Sequence, residues 1–139
     1  MKISAKTDYA CRAMLELAQQ WPNKNPVQIQ EISRHQRIPI KFLTLILLDL
    51  KQLGYVRSMR GKNGGYVLQK APSEVYLSDI VRQFNGSDTQ QYKRSAGANF
   101  MAQIWLEVDK KFYDALSGIN FESILNRKRE DENILVFQI

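Results

Sequence analysis

The chain has 139 residues, 44% of them apolar, which suits one folded domain with a packed core and excludes a disordered chain. No apolar run approaches the ~20 residues of a membrane span, and the N-terminus lacks the apolar segment of a secretion signal. The single cysteine excludes an internal disulfide. We therefore expect a cytoplasmic protein. The net charge of +6 is uneven, because residues 1–70 hold 12 basic and 4 acidic residues and residues 71–139 hold 8 and 10. The first half therefore has the charge of a surface that meets a polyanion, although an ordinary solvated surface is the alternative.

Three helices are predicted in the first third of the chain. Apolar residues recur at helical spacing from Thr7 to Ala18, and again over a shorter stretch from Gln28 to His35. A third helix is expected to begin at Pro39 or Ile40, because proline suits the first turn of a helix. It should end at Gly54, since glycine commonly follows the last helical residue.

A β-hairpin is predicted next, and we call it the wing. Residues 55–59 and 66–69 are strand-like, and the six residues between them, 60–65, include three glycines and one asparagine that favour a tight reversal. Three short helices followed by a basic hairpin are the element order of a winged helix-turn-helix. The predicted fold is therefore mainly α-helical with a small β-hairpin wing, followed by a long dimerisation helix.

The second half is predicted to be helical around one polar loop. Ser78 can cap a short helix, and residues 87–98 are polar and aperiodic, so we expect a flexible loop there. The longest helical pattern runs from Asn99 to Ser117. A short last helix is expected over about 121–128, and the apolar tail 134–139 is expected to be extended.

The long helix is the predicted dimer interface, because little else in the chain is available to cover its apolar stripe. Folding back onto its own domain is the alternative. The expected organisation is a DNA-binding domain over 1–86, a loop over 87–98 and a dimerisation region over 99–139. The predicted interface residues are Phe100, Ile104, Trp105, Val108, Phe112 and Leu116.

Residues 1–86 resemble the Rrf-two family of bacterial transcription regulators, which includes IscR-, NsrR- and CymR-like proteins. The most specific stretch of the resemblance is the wing motif Arg60-Gly61-x-x-Gly64-Gly65-Tyr66. The other matching residues are Ile3, Ser4, Asp8, Tyr9, Ala10, Ile29, Glu31, Ile32, Ile38, Pro39, Phe42, Leu43, Leu50, Leu53, Gly54, Ser58, Leu68, Pro72, Leu77, Asp79, Ile80 and Gly86. The resemblance implies a homodimer, joined through the long helices, that places two winged-helix heads on one palindromic DNA operator, and we expect it to act as a repressor. Residues 87–139 match only in layout.

The N-terminal part of the third helix should enter the major groove and the wing should lie at the phosphates or in the minor groove. Lys41 can bond guanine, Thr44 can reach a base edge or a phosphate, and Leu45 offers apolar contact only. Some family members carry a Glu-Gln pair at Thr44 and Leu45, so the preferred operator is not implied. The predicted DNA-binding residues are Ile40, Lys41, Thr44, Leu45, Arg57, Arg60, Gly61, Lys62, Arg37, Arg34 and Lys6. For each lysine, a solvated surface position is the alternative.

Many family members hold an iron–sulfur cluster on three cysteines in the loop before the dimer helix. Residues 87–98 contain no cysteine, and clusters need thiolate ligands. We therefore predict no metal and no cofactor, with Cys11 as a small core residue, although the sequence leaves open whether Asp8, Cys11 or His35 binds a metal. The regulatory signal also stays open between a small effector at the loop, a protein partner and constitutive repression.

Three other functions are alternatives to DNA binding. An enzyme is not predicted, because no acid lies at helical spacing on the apolar side of His35 and Gly64-Gly65 belongs to a hairpin rather than a phosphate-binding loop. A winged-helix module that binds protein instead of DNA is the main alternative, and Leu45 and Leu48 are its best argument. RNA binding is disfavoured, since no platform of stacking aromatics is evident.

Overall fold

The computed structural model describes residues 2–22, 25–86, 89–97 and 99–138, with side chains described through 136. It contains seven α-helices and a two-stranded antiparallel sheet in the described residues. The helices are α1 (Ala5–Ala18), α2 (Ile29–Gln36), α3 (Ile40–Gln52), α4 (Leu77–Phe84), α5 (Thr89–Ser95), α6 (Phe100–Ser117) and α7 (Phe121–Gln138), and the strands are β1 (Val56–Met59) and β2 (Gly65–Leu68). A single 3₁₀ turn, Pro72–Glu74, follows the wing.

Helix α1 lies at the centre of the fold and contacts α2, α3, α4, α7 and β2. It begins where the Ser4 hydroxyl accepts the backbone N–H of Thr7 at 3.1 Å, which satisfies one of the unpaired donors of the first turn. Its apolar face places Met14 and Leu17 in the core, and both are fully buried. The sequence prediction of the first three helices is confirmed, and Gly54 follows α3 with a φ of 84° that glycine adopts without strain.

The wing is anchored by a third segment that the sequence prediction did not include. Strands β1 and β2 pair from Val56↔Leu68 to Met59↔Gly65. Val27, just before α2, forms a bridge with Tyr66, with backbone hydrogen bonds of 3.0 and 2.8 Å in the two directions. The hairpin is therefore attached to the N-terminal end of α2, and the mainly helical winged helix-turn-helix fold is confirmed.

Two corrections concern the middle of the chain. Ser78 does not cap α4 but is buried in its first turn. The helix begins at Leu77, and the N–H of its capping residue, Tyr76, donates to the Asp79 carboxylate at 3.0 Å. The loop prediction is wrong for Thr89–Ser95, which form α5. Because α5 buries none of its own side chains and is held by packing on α6, its sequence carries no apolar period. Ser87, Asp88 and Ala98 of the predicted loop lie outside the described residues.

The C-terminal segment is also corrected. The last helix is longer than 121–128, and the apolar tail is helical as far as Gln138 instead of extended; residue 139 lies outside the described residues. The charged stretch after Lys128 sustains the helix, as in the i,i+4 ion pair between Lys128 and Glu132. The β-branched residues of the tail suggested a strand only because their local propensity was considered without the helix that precedes them.

Helix α7 begins against the helices of the first half of the chain. Phe121 is fully buried and Leu125 nearly so, and both belong to the same core as α1 to α4. The Phe121 N–H donates to the carbonyl of Val75 at 3.0 Å, and the Leu77 N–H donates to Ile119 at 2.8 Å. The segment between α6 and α7 is thus attached to the turn that precedes α4, while α6 packs on α4 and α5.

Candidate nucleic-acid interface

Helix α3 divides into a buried face and an exposed face. Leu43, Ile46, Leu47 and Leu50 are buried, because they fall on the stripe that meets α1 and α2. The residues between them are left in solvent. The predicted base-contacting residues Ile40, Lys41, Thr44 and Leu45 are all exposed, with Leu45 at 58%.

The chemistry of this exposed face is mixed. The Thr44 hydroxyl donates to the Ile40 carbonyl within the helix at 2.8 Å, so its oxygen is left to accept a bond from a base or a phosphate-bound water. The Lys41 ammonium lies 5.5 Å from the centre of the Phe42 ring, a contact that it can leave at little cost because both groups are exposed. The exposed face of α3 therefore presents one cation, Lys41, together with apolar side chains that could enter a groove.

The turn between α2 and α3 is fixed by its own backbone and by Ser33. Arg37 has left-handed backbone angles, φ 54° and ψ 50°. The Ser33 hydroxyl donates to the Ile38 carbonyl at 2.6 Å, and the Ile38 N–H donates to the Ser33 carbonyl at 3.0 Å. These bonds close the turn and leave the side chains of Arg34 and Arg37 exposed beside the start of α3.

A polar brace from α1 holds the end of α2, and sequence reasoning missed it. The Glu16 carboxylate, 7% exposed, lies 2.6 Å from His35 Nδ1 and accepts a bond from the Gln36 amide at 2.8 Å. Arg12 donates to the Gln36 carbonyl at 2.6 Å and to Asp8 on its own helix. The available signal was the i,i+4 spacing of Asp8, Arg12 and Glu16 on one face of α1.

The tip of the wing is exposed and basic. Arg57, Arg60, Gly61 and Lys62 are all exposed, and Arg57 donates to the Met59 sulfur at 3.2 Å. A side chain at position 64 would place its Cβ 2.3 Å from the Met59 carbonyl oxygen. That position must be glycine for the two strands to approach each other at this turn.

Lys6 is placed differently from the other predicted contacts. Its ammonium lies 3.2 Å from the Asp49 carboxylate and 5.5 Å from the centre of the Phe84 ring. A phosphate would have to compete with Asp49 for this charge, so Lys6 is the weakest of the predicted DNA contacts.

Helix α6 buries only a narrow part of its surface against its own chain. Ala102, Asp109 and Tyr113 are buried, and Ile104, Phe112 and Leu116 are half-buried. Phe100 is 73% exposed, Trp105 43% and Val108 39%. The alternative in which this helix folds back on its own domain therefore accounts for one face of α6 and leaves an apolar face in solvent.

The donor atoms of this chain do not match those that an iron–sulfur cluster requires. The only thiol in the sequence, Cys11, is half-buried, and burial raises its pKa to about 12, which disfavours the thiolate that iron needs. Asp8 is paired with Arg12, and His35 with Glu16. Within the described ranges, no three His, Cys, Asp or Glu side chains are grouped so that they could hold a metal ion. These residues do not fit a cluster held by three cysteines.

This arrangement defines the class of the molecule as a winged helix-turn-helix protein. The profile of the Rrf2 family, described as iron-dependent transcriptional regulators, matches residues 3–127, and the chain belongs to that family. The family consists of transcription regulators, which confirms the prediction that the chain is not an enzyme. In the part of the chain that the structure describes, no helix is both long and apolar enough to cross a membrane.

Similar proteins support this assignment along most of the chain. An rrf2-like HTH-type transcriptional regulator of Rhodobacter capsulatus is 44% identical over 86 residues, which are 60% of this chain and 57% of that protein. The HTH-type regulator slr0846 of Synechocystis is 29% identical over 89% of this chain and 87% of its own. The structure of IscR from T. potens matches with a TM-score of 0.81 at 28% identity, over 94% of this chain and 90% of that one. CymR, the global cysteine regulator of B. subtilis, matches with a TM-score of 0.75 at 25% identity, over 91% and 98%.

Proposed function

We propose that the protein is a sequence-specific DNA-binding repressor that acts as a homodimer on a palindromic operator. The observation that carries the proposal is the division of α3, which buries Leu43, Ile46 and Leu47 and exposes Ile40, Lys41, Thr44 and Leu45. An exposed helix face of this kind fits the major groove, which admits a helix and presents a distinct pattern of bonding groups for each base pair.

The basic groups around α3 provide the non-specific part of the binding. Arg34 and Arg37 flank the start of the helix, and Arg57, Arg60 and Lys62 extend along the wing. Among the described residues none of these five forms a salt bridge within the protein, so their charges are available to phosphates. The polar brace of Arg12 and Glu16 would hold α2 and the turn rigid while α3 is inserted.

The homodimer is proposed from the exposed face of α6. Phe100, Trp105 and Val108 expose between 39% and 73% of their surface on one helix, and monomeric proteins seldom leave such a continuous apolar surface in water. A second α6 would cover it. Two heads are also needed on physical grounds, because one helix contacts too few base pairs for a useful specificity ratio.

Regulation is proposed to occur without a cysteine-ligated cluster, because three thiolates are required and the chain has one cysteine. An effector or a protein partner would then act near 87–98, between the DNA-binding head and α6. Repression would follow from occupancy of the promoter by the dimer. A cytoplasmic location belongs to the same proposal.

The test is a set of charge-removing variants compared on one duplex recovered by in-vitro selection. Lys41→Ala and Arg60→Ala should each weaken binding by at least about tenfold, because the dimer loses two contacts at once. Arg127→Ala, on the exposed surface of α7, is the matched control and should bind as the parent does. If Lys41→Ala and Arg60→Ala both bind as tightly as the control, this docking of α3 and the wing is wrong.

One observation favours the alternative of a protein-binding module. Phe42 and Leu45 are about half exposed and line an apolar cleft of about 400 Å³ with Tyr9 and Ile46. Lys41→Glu distinguishes the two functions: in a DNA reader the loss of a cation and gain of an anion on α3 should weaken operator binding at least about a hundredfold. In a protein-binding module it should leave partner binding unchanged, because Lys41 does not line the apolar cleft. A protein that binds no selected duplex even at low salt would favour the alternative.

A further inference from the structure

A second cleft lies where α4, α5 and α6 meet, and its volume is about 390 Å³. We call it the α4–α6 cleft. This volume lies at the lower end of the range of about 300–1,000 Å³ that is typical of small-molecule sites. The site assigned to DNA binding uses none of the residues that line it.

The cleft is lined by charges of both signs. Arg82, Lys93 and Lys110 are the cations, and all three are exposed. Asp114 lies 3.7 Å from Lys110 and pairs with it loosely at the mouth. Neither Arg82 nor Lys93 forms a salt bridge to any carboxylate in the described ranges. The cleft therefore has cationic groups to offer to an anion.

A buried carboxylate lies on the α6 side of the same cleft. Asp109 is 4% exposed and accepts the Thr89 hydroxyl at 2.5 Å, a bond that joins α5 to α6. With three cations and two carboxylates, the lining carries a net charge of +1. This charge matches one negative group, and the buried carboxylate would repel a doubly charged phosphate.

The geometry of Arg82 suits a carboxylate in particular. Its guanidinium carbon lies 4.1 Å from the centre of the Tyr113 ring, and stacking of this kind orients the planar group while its N–H edge can still donate. A guanidinium edge donates two parallel bonds to a carboxylate. Tyr113 and Leu106 provide apolar surface for the carbon skeleton of the ligand.

We propose that the α4–α6 cleft binds a small organic monocarboxylate, with Arg82 and Lys93 on the carboxylate group and Leu106 and Tyr113 against the carbon skeleton. Such a ligand would connect α4, which packs on α1 of the DNA-binding head, with α5 and α6. Its role as an effector rests on the proposed function, whereas binding itself does not and is measured without DNA.

The experiment is a titration of the ¹⁵N-labelled protein with benzoate, followed by amide chemical shifts at constant ionic strength. Benzamide, which has the same shape and no charge, is the ligand control. Benzoate should shift residues of the cleft, around 82, 89–93 and 106–114, with saturation in the millimolar range, and benzamide should not. Equal responses to the two compounds, or benzoate shifts scattered over the surface, would overturn the proposal.

Two variants assign the binding to the cleft. Arg82→Gln should raise the dissociation constant for benzoate at least about fivefold, because a charged hydrogen-bond donor is lost. Lys111→Gln removes the same charge from α6 next to Lys110 but outside the cleft, and should leave the constant within twofold. An unchanged constant for Arg82→Gln, or an equal rise for Lys111→Gln, would refute the site.

The effector role has its own test. Benzoate at ten times its dissociation constant should change operator affinity at least about threefold in the parent, and in Arg82→Gln the same change should require at least about five times as much benzoate. Unchanged affinity in the parent would refute the effector role. Loss of all DNA binding in the absence of benzoate would refute the proposed function instead, so the two failures are distinguishable.

Discussion

Replacing Gly64 by alanine tests the wing most sharply, because the clash can be measured from the structure. The new Cβ would lie 2.3 Å from the Met59 carbonyl oxygen and 3.0 Å from that of Gly61. Both are backbone atoms, so relief requires a displacement of about 1 Å of the hairpin end rather than a side-chain rotation. Overpacking of this kind costs about 1–3 kcal/mol, and an exposed hairpin end should fall in the lower half of that range.

Two measurements follow from this clash. The loss of stability should lower the midpoint of thermal unfolding, measured by circular dichroism, by about 3–6 °C. The displaced tip also carries Arg60, so each wing should lose about half of one charged hydrogen bond to DNA, roughly 0.7 kcal/mol of binding free energy. The two wings of a dimer together then weaken operator binding about tenfold in fluorescence anisotropy.

Gly97→Ala is the matched control. A Cβ at that position meets nothing within 4 Å and Gly97 has no positive φ, so its midpoint should stay the same or rise slightly. If Gly64→Ala keeps its midpoint within about 1 °C and its operator affinity within twofold of the parent, the role assigned to the wing is refuted.

Three further perturbations probe other parts of the molecule. Trp105→Glu should give monomers in light scattering without loss of helical signal, since Trp105 is 43% exposed in the protomer; a dimeric variant would assign the interface to another surface. Glu16→Ala removes the carboxylate that binds His35 and Gln36. It should lower the free energy of unfolding, measured with denaturant, by about 1–2 kcal/mol and no more, because both freed groups can reach water. An unchanged free energy of unfolding would show that the brace contributes nothing to stability. Cys11 in the native protein should react with iodoacetamide at pH 8 about a thousandfold more slowly than in the unfolded chain, because burial raises its pKa to about 12. The native reaction rate should rise about tenfold per pH unit, and a plateau of that rate near pH 9 would contradict the raised pKa.

The DNA-binding half could be predicted because its signals are local. The apolar stripe of α3 fixes which of its residues are buried, and the exposed set of Ile40, Lys41, Thr44 and Leu45 follows as the remainder. The glycines of the wing mark the reversal, and Gly64 cannot carry a side chain there. The sequence pattern predicts the structure correctly where the residues that determine a local structure all lie within one short segment.

The parts that could not be predicted depend on contacts between distant residues. Helix α5 has no apolar period because packing on α6 and the bond from Thr89 to Asp109, 20 residues away, hold it in place. Glu16 and His35 are 19 residues apart and meet only once α1 packs on α2. The pairing of Lys6 with Asp49 has the same origin, and no sequence spacing indicates it.

The measurement that tests the central claim most directly is the salt dependence of binding to a selected operator and to a scrambled duplex. With three or four phosphate contacts from each protomer, log K should fall against log[salt] with a slope of about −5 to −7 on both duplexes. The operator should also bind at least about a thousandfold more tightly than the scrambled duplex at physiological salt. A slope near zero, or equal affinity for the two duplexes across the salt series, would contradict the assignment of a sequence-specific DNA-binding regulator.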